Sequence, residues 1–190
     1  MAASAAGNPA AAAEQKAASA ATMPLKLQAV IMSGAKPIQR NVSFQLERFD
    51  KGRREMVANL TGGVADVKLQ PGKYRLTTAY GATVIEEDIE IRSAKDLPHE
   101  VNLNAGEIGL RMIPRNGGQA VTTPIDWKVL SYRKNGKGER DVVFSANAAE
   151  TEVVLPAGWY LVHANENGKL TKHTIEVGAG TRYVYTLVRK

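Results

Sequence analysis

From residue 23 onward, apolar and polar positions alternate with a period of two. The segments Leu25-Lys-Leu27-Gln-Ala29-Val30, Val42-Ser-Phe44-Gln-Leu46, Ala65-Asp-Val67-Lys-Leu69, Gly72-Lys-Tyr74-Arg-Leu76, Asp88-Ile-Glu90-Ile91 and Val101-Asn-Leu103 all follow this pattern. Such alternation places apolar side chains on one face and predicts half-buried strands. Turn signals punctuate the strands at Asp50-Lys-Gly52, Gly62-Gly63, Pro71-Gly72, Gly81-Ala82, Asn135-Gly136 and Asn167-Gly168. Helical periodicity is nearly absent outside the first 22 residues.

The same six segments recur in the same order further along the chain. Leu25 maps onto Ile108, Phe44 onto Trp127, Val67 onto Val153, Tyr74 onto Tyr160, Ile89 onto Ile175 and Leu103 onto Leu187, a displacement of 83 to 86 residues. Gaps fall only in loops, so the chain divides into repeats at 23–106 and 107–190 behind a leader at 1–22. Six or seven short strands per repeat predict an antiparallel sandwich.

Two hairpins fix the register. Gly81-Ala82 suits a type II′ turn and Asn167-Gly168 a type I′ turn. Tyr80 then faces Thr83, Arg75 faces Asp88 and Lys73 faces Glu90. In the second copy His163 faces Lys172 and Trp159 faces Glu176. Both registers bury Tyr74 and Leu76, or Tyr160 and Val162, on the inner side.

The segments Leu69-Gln-Pro71-Gly72-Lys-Tyr74 and Leu155-Pro156-Ala-Gly158-Trp-Tyr160 share a motif. It resembles the Pro-Gly-x-Tyr strand of PEGA domains and of carboxypeptidase-regulatory-like (transthyretin-like) domains. The proline of the second copy is displaced by one position. The resemblance implies two tandem Ig-like (transthyretin-like) antiparallel β-sandwich domains, an all-β fold. It also implies a non-catalytic module of exported or envelope-associated bacterial proteins, and it supplies no catalytic residue.

Composition narrows this further. No stretch reaches the ~20 apolar residues of a membrane-spanning helix. Cysteine is absent, which excludes disulfides and thiolate chemistry. The net charge is +6 and the pI about 9.5. The leader carries 12 alanines and only Glu14 and Lys16 as charges. It reads as a flexible tether of the kind that follows a signal cleavage site, placing the protein in the periplasm or at the cell surface. The alternative is a cytoplasmic protein with the same leader.

Candidate chemistry is sparse. Of the histidines, His163 is expected outward and His173 inward, which is poor convergence for a metal. The run Glu86-Glu87-Asp88-Ile-Glu90 lies on a strand opposite Lys73 and Arg75, so cross-strand ion pairing explains it better than calcium binding. No G-x-S-x-G, H-E-x-x-H or phosphate-loop motif is present. We therefore expect no enzyme, no cofactor and no metal.

Two features remain. Basic turns at Arg53, Arg54 and at Lys134, Lys137 offer an anionic-surface contact, and their interspersed carboxylates dilute it. They lack an aromatic platform for nucleic acid. The outward positions of the copies also differ. Lys73, Arg75, Glu47 and Phe49 of the first stand against Trp159, Leu161, Leu130 and Tyr132 of the second. The expected role is a structural or adaptor module that docks a protein partner, or a second copy, through Trp159, Leu161, Leu130 and Tyr132. Burial of this patch by the first repeat is a competing outcome. The alternative function is a carbohydrate- or anionic-polymer-binding module, with anionic polysaccharide as ligand.

Overall fold

The computed structural model describes residues 22–50, 52–92 and 98–189. Apart from Thr22, the expected leader lies outside the described residues. Seven strands form the first sandwich: β1 (Met23–Val30), β2 (Val42–Asp50), β3 (Arg53–Thr61), β4 (Val64–Leu69), β5 (Gly72–Tyr80), β6 (Thr83–Ile91) and β7 (His99–Asn102). Seven more form the second: β8 (Ala105–Ile113), β9 (Ile125–Ser131), β10 (Val142–Ala148), β11 (Thr151–Pro156), β12 (Gly158–Glu166), β13 (Lys169–Val177) and β14 (Arg182–Val188). No helix occurs among the described residues.

Each sandwich packs a three-stranded sheet on a four-stranded one. The orders are β4-β1-β7 and β3-β2-β5-β6, then β11-β8-β14 and β10-β9-β12-β13. The two copies are therefore topologically identical. The pairing is antiparallel with one exception per copy: the closing strands β7 and β14 run parallel to β1 and β8. A two-residue hairpin forces antiparallel pairing. The closing strand instead arrives by a crossing between sheets, so no tight turn dictates its direction. The last strand pairs within its own sandwich.

The predicted alternation builds both cores. Leu27, Phe44, Leu46, Leu76 and Leu103 are fully buried in the first, and Ile108, Trp127, Val129 and Val162 in the second. Phe44 and Trp127 hold equivalent places. The larger ring satisfies its one polar atom, donating from Nε1 to the Ala148 carbonyl at 2.9 Å. The shared motif also has a physical basis. The Tyr74 hydroxyl donates to the Gln70 carbonyl at 2.6 Å, and that of Tyr160 to the Pro156 carbonyl at 2.8 Å. The acceptor is a main-chain oxygen four residues upstream, so the shifted proline leaves the bond intact. Burial pushes both hydroxyl pKa values up, with Arg48 opposing at Tyr74.

The hairpin registers are those the turns predict: Tyr80 opposite Thr83, Arg75 opposite Asp88, Lys73 opposite Glu90, His163 opposite Lys172 and Trp159 opposite Glu176. Gly81 takes φ +60°, while Asn167 and Gly168 take +49° and +83°. Strands β3 and β10 escaped the self-comparison. Both are edge strands that carry a bulge, at Val57 and Val143, and β3 is exposed along most of its length, so neither carries a clean two-residue pattern.

The sandwiches meet at the Gly81-Ala82 hairpin tip. The Ala82 amide donates to the Val154 carbonyl at 3.0 Å. The Val154 side chain packs in the first core and Ala82 against the second. The Ala105 amide donates to the Ile31 carbonyl at 3.0 Å, and the Gly180 amide to the Ala105 carbonyl at 2.8 Å.

Candidate functional site

The outer face of the sheet β10-β9-β12-β13 is laid out in cross-strand rows. One row runs Val142, Leu130, Leu161, Thr174 from strand to strand. Beside it Trp159 stands opposite Glu176, and Tyr132 follows just beyond the end of β9. The rings of Tyr132 and Trp159 tilt against each other with centroids 6.4 Å apart. The Arg140 guanidinium lies 5.6 Å from the centre of the Tyr132 ring, in cation–π range. Val142, Trp159 and Tyr132 are 55%, 52% and 50% exposed, and Leu130 and Leu161 are half-buried. Thus all four residues of the expected docking patch are gathered at one corner, with Val142 added. The first sandwich does not cover them.

The next rows differ in chemistry. Lys128, His163 and Lys172 stand side by side on β9, β12 and β13. Beyond them come Asn147, Asp126, Asn165 and Leu170 on four successive strands. Lys128, His163, Asn147, Asp126, Asn165 and Leu170 line an open groove of about 800 Å³, with Ser145 on its wall, while Lys172 stands beside His163 outside that lining. Partial burial holds the His163 pKa below its ordinary value, and Lys172, Lys128 and Arg140 add to the shift. The Asn147 amide donates to an Asp126 carboxylate oxygen. Sequence reasoning found the His163–Lys172 pair but not the groove. The missing half is the pairing of β9 with β12, which are separated by two other strands in the chain.

The equivalent corner of the first sandwich is charged. Arg75 replaces Leu161 and makes a bidentate contact with Asp88, at 2.9 and 3.2 Å. Glu86 lies 3.8 Å from the same guanidinium. The hydrogen bond from Arg75 holds the Asp88 carboxyl below the usual range. Phe49 sits between Arg54 and Arg75, each 5.5 Å from its ring centre. The acidic run on β6 is otherwise absorbed by Glu90 with Arg92 at 2.7 Å and Glu87 with His99 at 2.8 Å.

The basic turns differ from each other. Arg53 stands opposite Asp50 in the hairpin register, and Arg54 reaches Glu47 at 3.9 Å, so carboxylates border the first turn. Lys134 and Lys137 are exposed on a loop organised by Asn135. Its Oδ1 accepts from the amides of Lys137 and Glu139 at 3.0 and 3.1 Å, and its Nδ2 donates to Asp141 at 2.9 Å. Each turn belongs to a different sandwich, and no ion pair or hydrogen bond joins them among the described residues. His173 points inward, with Nε2 at 3.2 Å from the Val188 carbonyl, away from His163. No described helix is long and apolar enough to cross a membrane.

No family model matches the chain. No curated protein matches it. Solved structures similar to it include the Bacillus anthracis TIE protein, at 18% identity and TM-score 0.35 over 90% of this chain and 34% of that one. The chain thus spans about a third of that protein. A minor pilin of Streptococcus agalactiae gives 11% identity and TM-score 0.47 over 88% of this chain and 95% of the pilin. The shaft pilin SpaA of Lactobacillus rhamnosus GG gives 10% identity and TM-score 0.36 over 89% of this chain and 99% of the pilin.

Proposed function

We propose that this protein is a non-catalytic structural or adaptor module of the bacterial cell envelope. In this reading it is exported, and its PEGA-like or carboxypeptidase-regulatory-like repeats fold as units at 23–106 and 107–190. The second repeat docks a protein partner through Trp159, Tyr132, Leu130 and Leu161. The observation that carries the reading is the contrast between equivalent corners. Where the first copy neutralises its charges internally, the second leaves a contiguous apolar and aromatic corner open. Exposed apolar clusters of this kind mark contact surfaces, and Trp and Tyr dominate interface centres.

The test is retention of envelope proteins by the full chain, compared with a Trp159→Lys/Leu161→Arg variant at low and high salt, with sedimentation of both. The reading expects one discrete protein, or a second copy of the chain, held by the wild type through high salt and lost by the variant. Equal retention by both, stripped by salt, would replace it with polymer binding through Arg53, Arg54, Lys134 and Lys137.

A further inference from the structure

The groove beyond the apolar corner poses a separate problem of charge. Lys128, His163 and Lys172 face one another across three strands. Like charges directly opposite in a sheet are destabilising. Among the described residues, neither lysine has an ion-pair partner. The fold does not demand this row. The matching residues of the first sandwich are Gln45, Thr77 and Glu86, paired in the same register.

The adjoining row has the opposite need. Asn165 Oδ1 is buried and lacks a hydrogen-bond donor among the described residues. An unmet buried acceptor is costly, and a donor that reaches it gains accordingly. Asp126, oriented by Asn147, offers a second acceptor in the same groove. Lys128 and the titratable His163 therefore share a groove of about 800 Å³ with two acceptors, and Lys172 stands next to His163 outside that lining.

We propose that this groove binds an acidic sugar. The anionic substituent, a carboxylate, sulfate or phosphate, sits on Lys128, His163 and Lys172. Neighbouring hydroxyls donate to Asn165 and Asp126. A neutral sugar lacks the group that relieves the basic row. A bare inorganic anion lacks hydroxyls in the geometry the acceptors require. The site is independent of the Trp159 corner, so either can fail alone.

Binding is expected to depend on pH. His163 is faced by Lys128, Lys172 and Arg140, with the Asp126 carboxylate in the adjoining row. Protonation of its ring adds a third positive charge, so affinity rises as pH falls through its titration. A bound anion in turn raises the His163 midpoint.

The test is NMR titration of the full chain, observing the His163 ring and the Asn165 side-chain amide. The probes are glucuronate, glucose 6-sulfate and glucose 6-phosphate, with glucose and inorganic phosphate as controls. At least one acidic sugar should saturate at millimolar concentration, moving both residues and raising the His163 midpoint. Which of the three does so identifies the anionic group. Lys128→Gln and Lys172→Gln should each weaken it about tenfold, as loss of a charge-assisted contact requires. Asn165→Ala should weaken the sugar and leave phosphate unaffected, and Trp159→Lys should change nothing here. The proposal is overturned if glucose or phosphate binds as well as every acidic sugar. It is equally overturned if His163 does not respond, or if the shifts fall on Lys134 and Lys137 instead.

Discussion

The two four-stranded sheets share an inner face and little of an outer one. Inside, Phe44 answers Trp127, Leu76 answers Val162 and Tyr74 answers Tyr160, each buried and each on the same strand of the same topology. Outside, Lys73, Arg75 and Glu47 answer Trp159, Leu161 and Leu130. The inner positions are fixed by packing, because a change in volume there is felt at once. The outer positions touch solvent and are free to diverge. The first copy spends this freedom on an ion-pair cluster around Arg75 that satisfies itself. The second spends it on an apolar corner and a basic row whose lysines have no ion-pair partner among the described residues. Likeness of fold and difference of surface chemistry thus lie on opposite sides of one sheet.

The strongest way to break this comparison is through the cores. Phe44→Ala and Trp127→Ala should each cost about 3–5 kcal/mol, the latter also orphaning the Ala148 carbonyl. Both tryptophans of the chain, Trp127 and Trp159, lie in the second sandwich, so their fluorescence reports its unfolding alone. Circular dichroism reports both sandwiches. Urea unfolding of Phe44→Ala should therefore shift the dichroism far more than the fluorescence. If the two move together, the sandwiches unfold as one unit through the Val154–Ala82 contact.

That contact gives the next test. Gly81 and Gly168 occupy equivalent hairpin tips, both at positive φ. A methyl group at Gly81 would lie 2.9 Å from Val154 Cβ, whereas at Gly168 it would meet nothing within 4 Å. Gly168→Ala should cost about 1 kcal/mol of backbone strain alone. Gly81→Ala adds the collision and should reach about 2–3 kcal/mol. Equal losses in thermal unfolding would mean that the tip does not seat against β11.

How far the sequence already contained this picture follows from how local each feature is. The strands, the two copies and the hairpin registers were legible because period-two burial and turn residues such as Gly81 and Asn167 act over a few residues. The outward placement of Trp159, Leu161, Leu130 and Tyr132 was legible for the same reason, whereas their meeting on one sheet was not, because it needs β9 to pair with β12. Three further features were not legible. The parallel closing strands depend on a crossing between sheets. The Ala82–Val154 contact joins segments far apart in the chain. The Lys128–His163 neighbourhood exists only because β9 pairs with β12. Strands β3 and β10 were hidden because a bulged edge strand need not alternate.

A smaller effect is expected on the outer faces. Arg75→Leu removes an exposed, self-satisfied cluster and should lower the urea midpoint only slightly. Trp159→Lys/Leu161→Arg should change stability by about 0.5 kcal/mol, since it breaks no hydrogen bond or ion pair and gives up one exposed ring contact. This asymmetry sharpens the contrast: the charged corner serves its own sandwich, and the apolar one does not. A large loss of stability in the Trp159 variant, seen in urea midpoints, would make that corner a structural element.

The smallest effect separates the copies by pH. The His163 pKa lies below its ordinary 6.5. In the window below 6.5 the unfolded chain binds a proton that the folded chain refuses, so stability rises with pH there and falls on acidification. The Asp88 pKa lies below its ordinary 3.8. Its contribution is present above that value and is lost as pH falls through the lowered folded one. Both losses have the same sign, but the second sandwich meets its loss first, and the first sandwich only in stronger acid. Tryptophan fluorescence in urea should therefore show a midpoint that declines as pH drops below 6.5, and His163→Gln should abolish that decline. Asp88→Asn should leave it intact and shrink only the acid limb seen by circular dichroism, the remainder belonging to Glu90 with Arg92. If His163→Gln retains the decline, the basic row is not the source of the strain. The lysines flanking it would then be solvated too well to oppose a third charge.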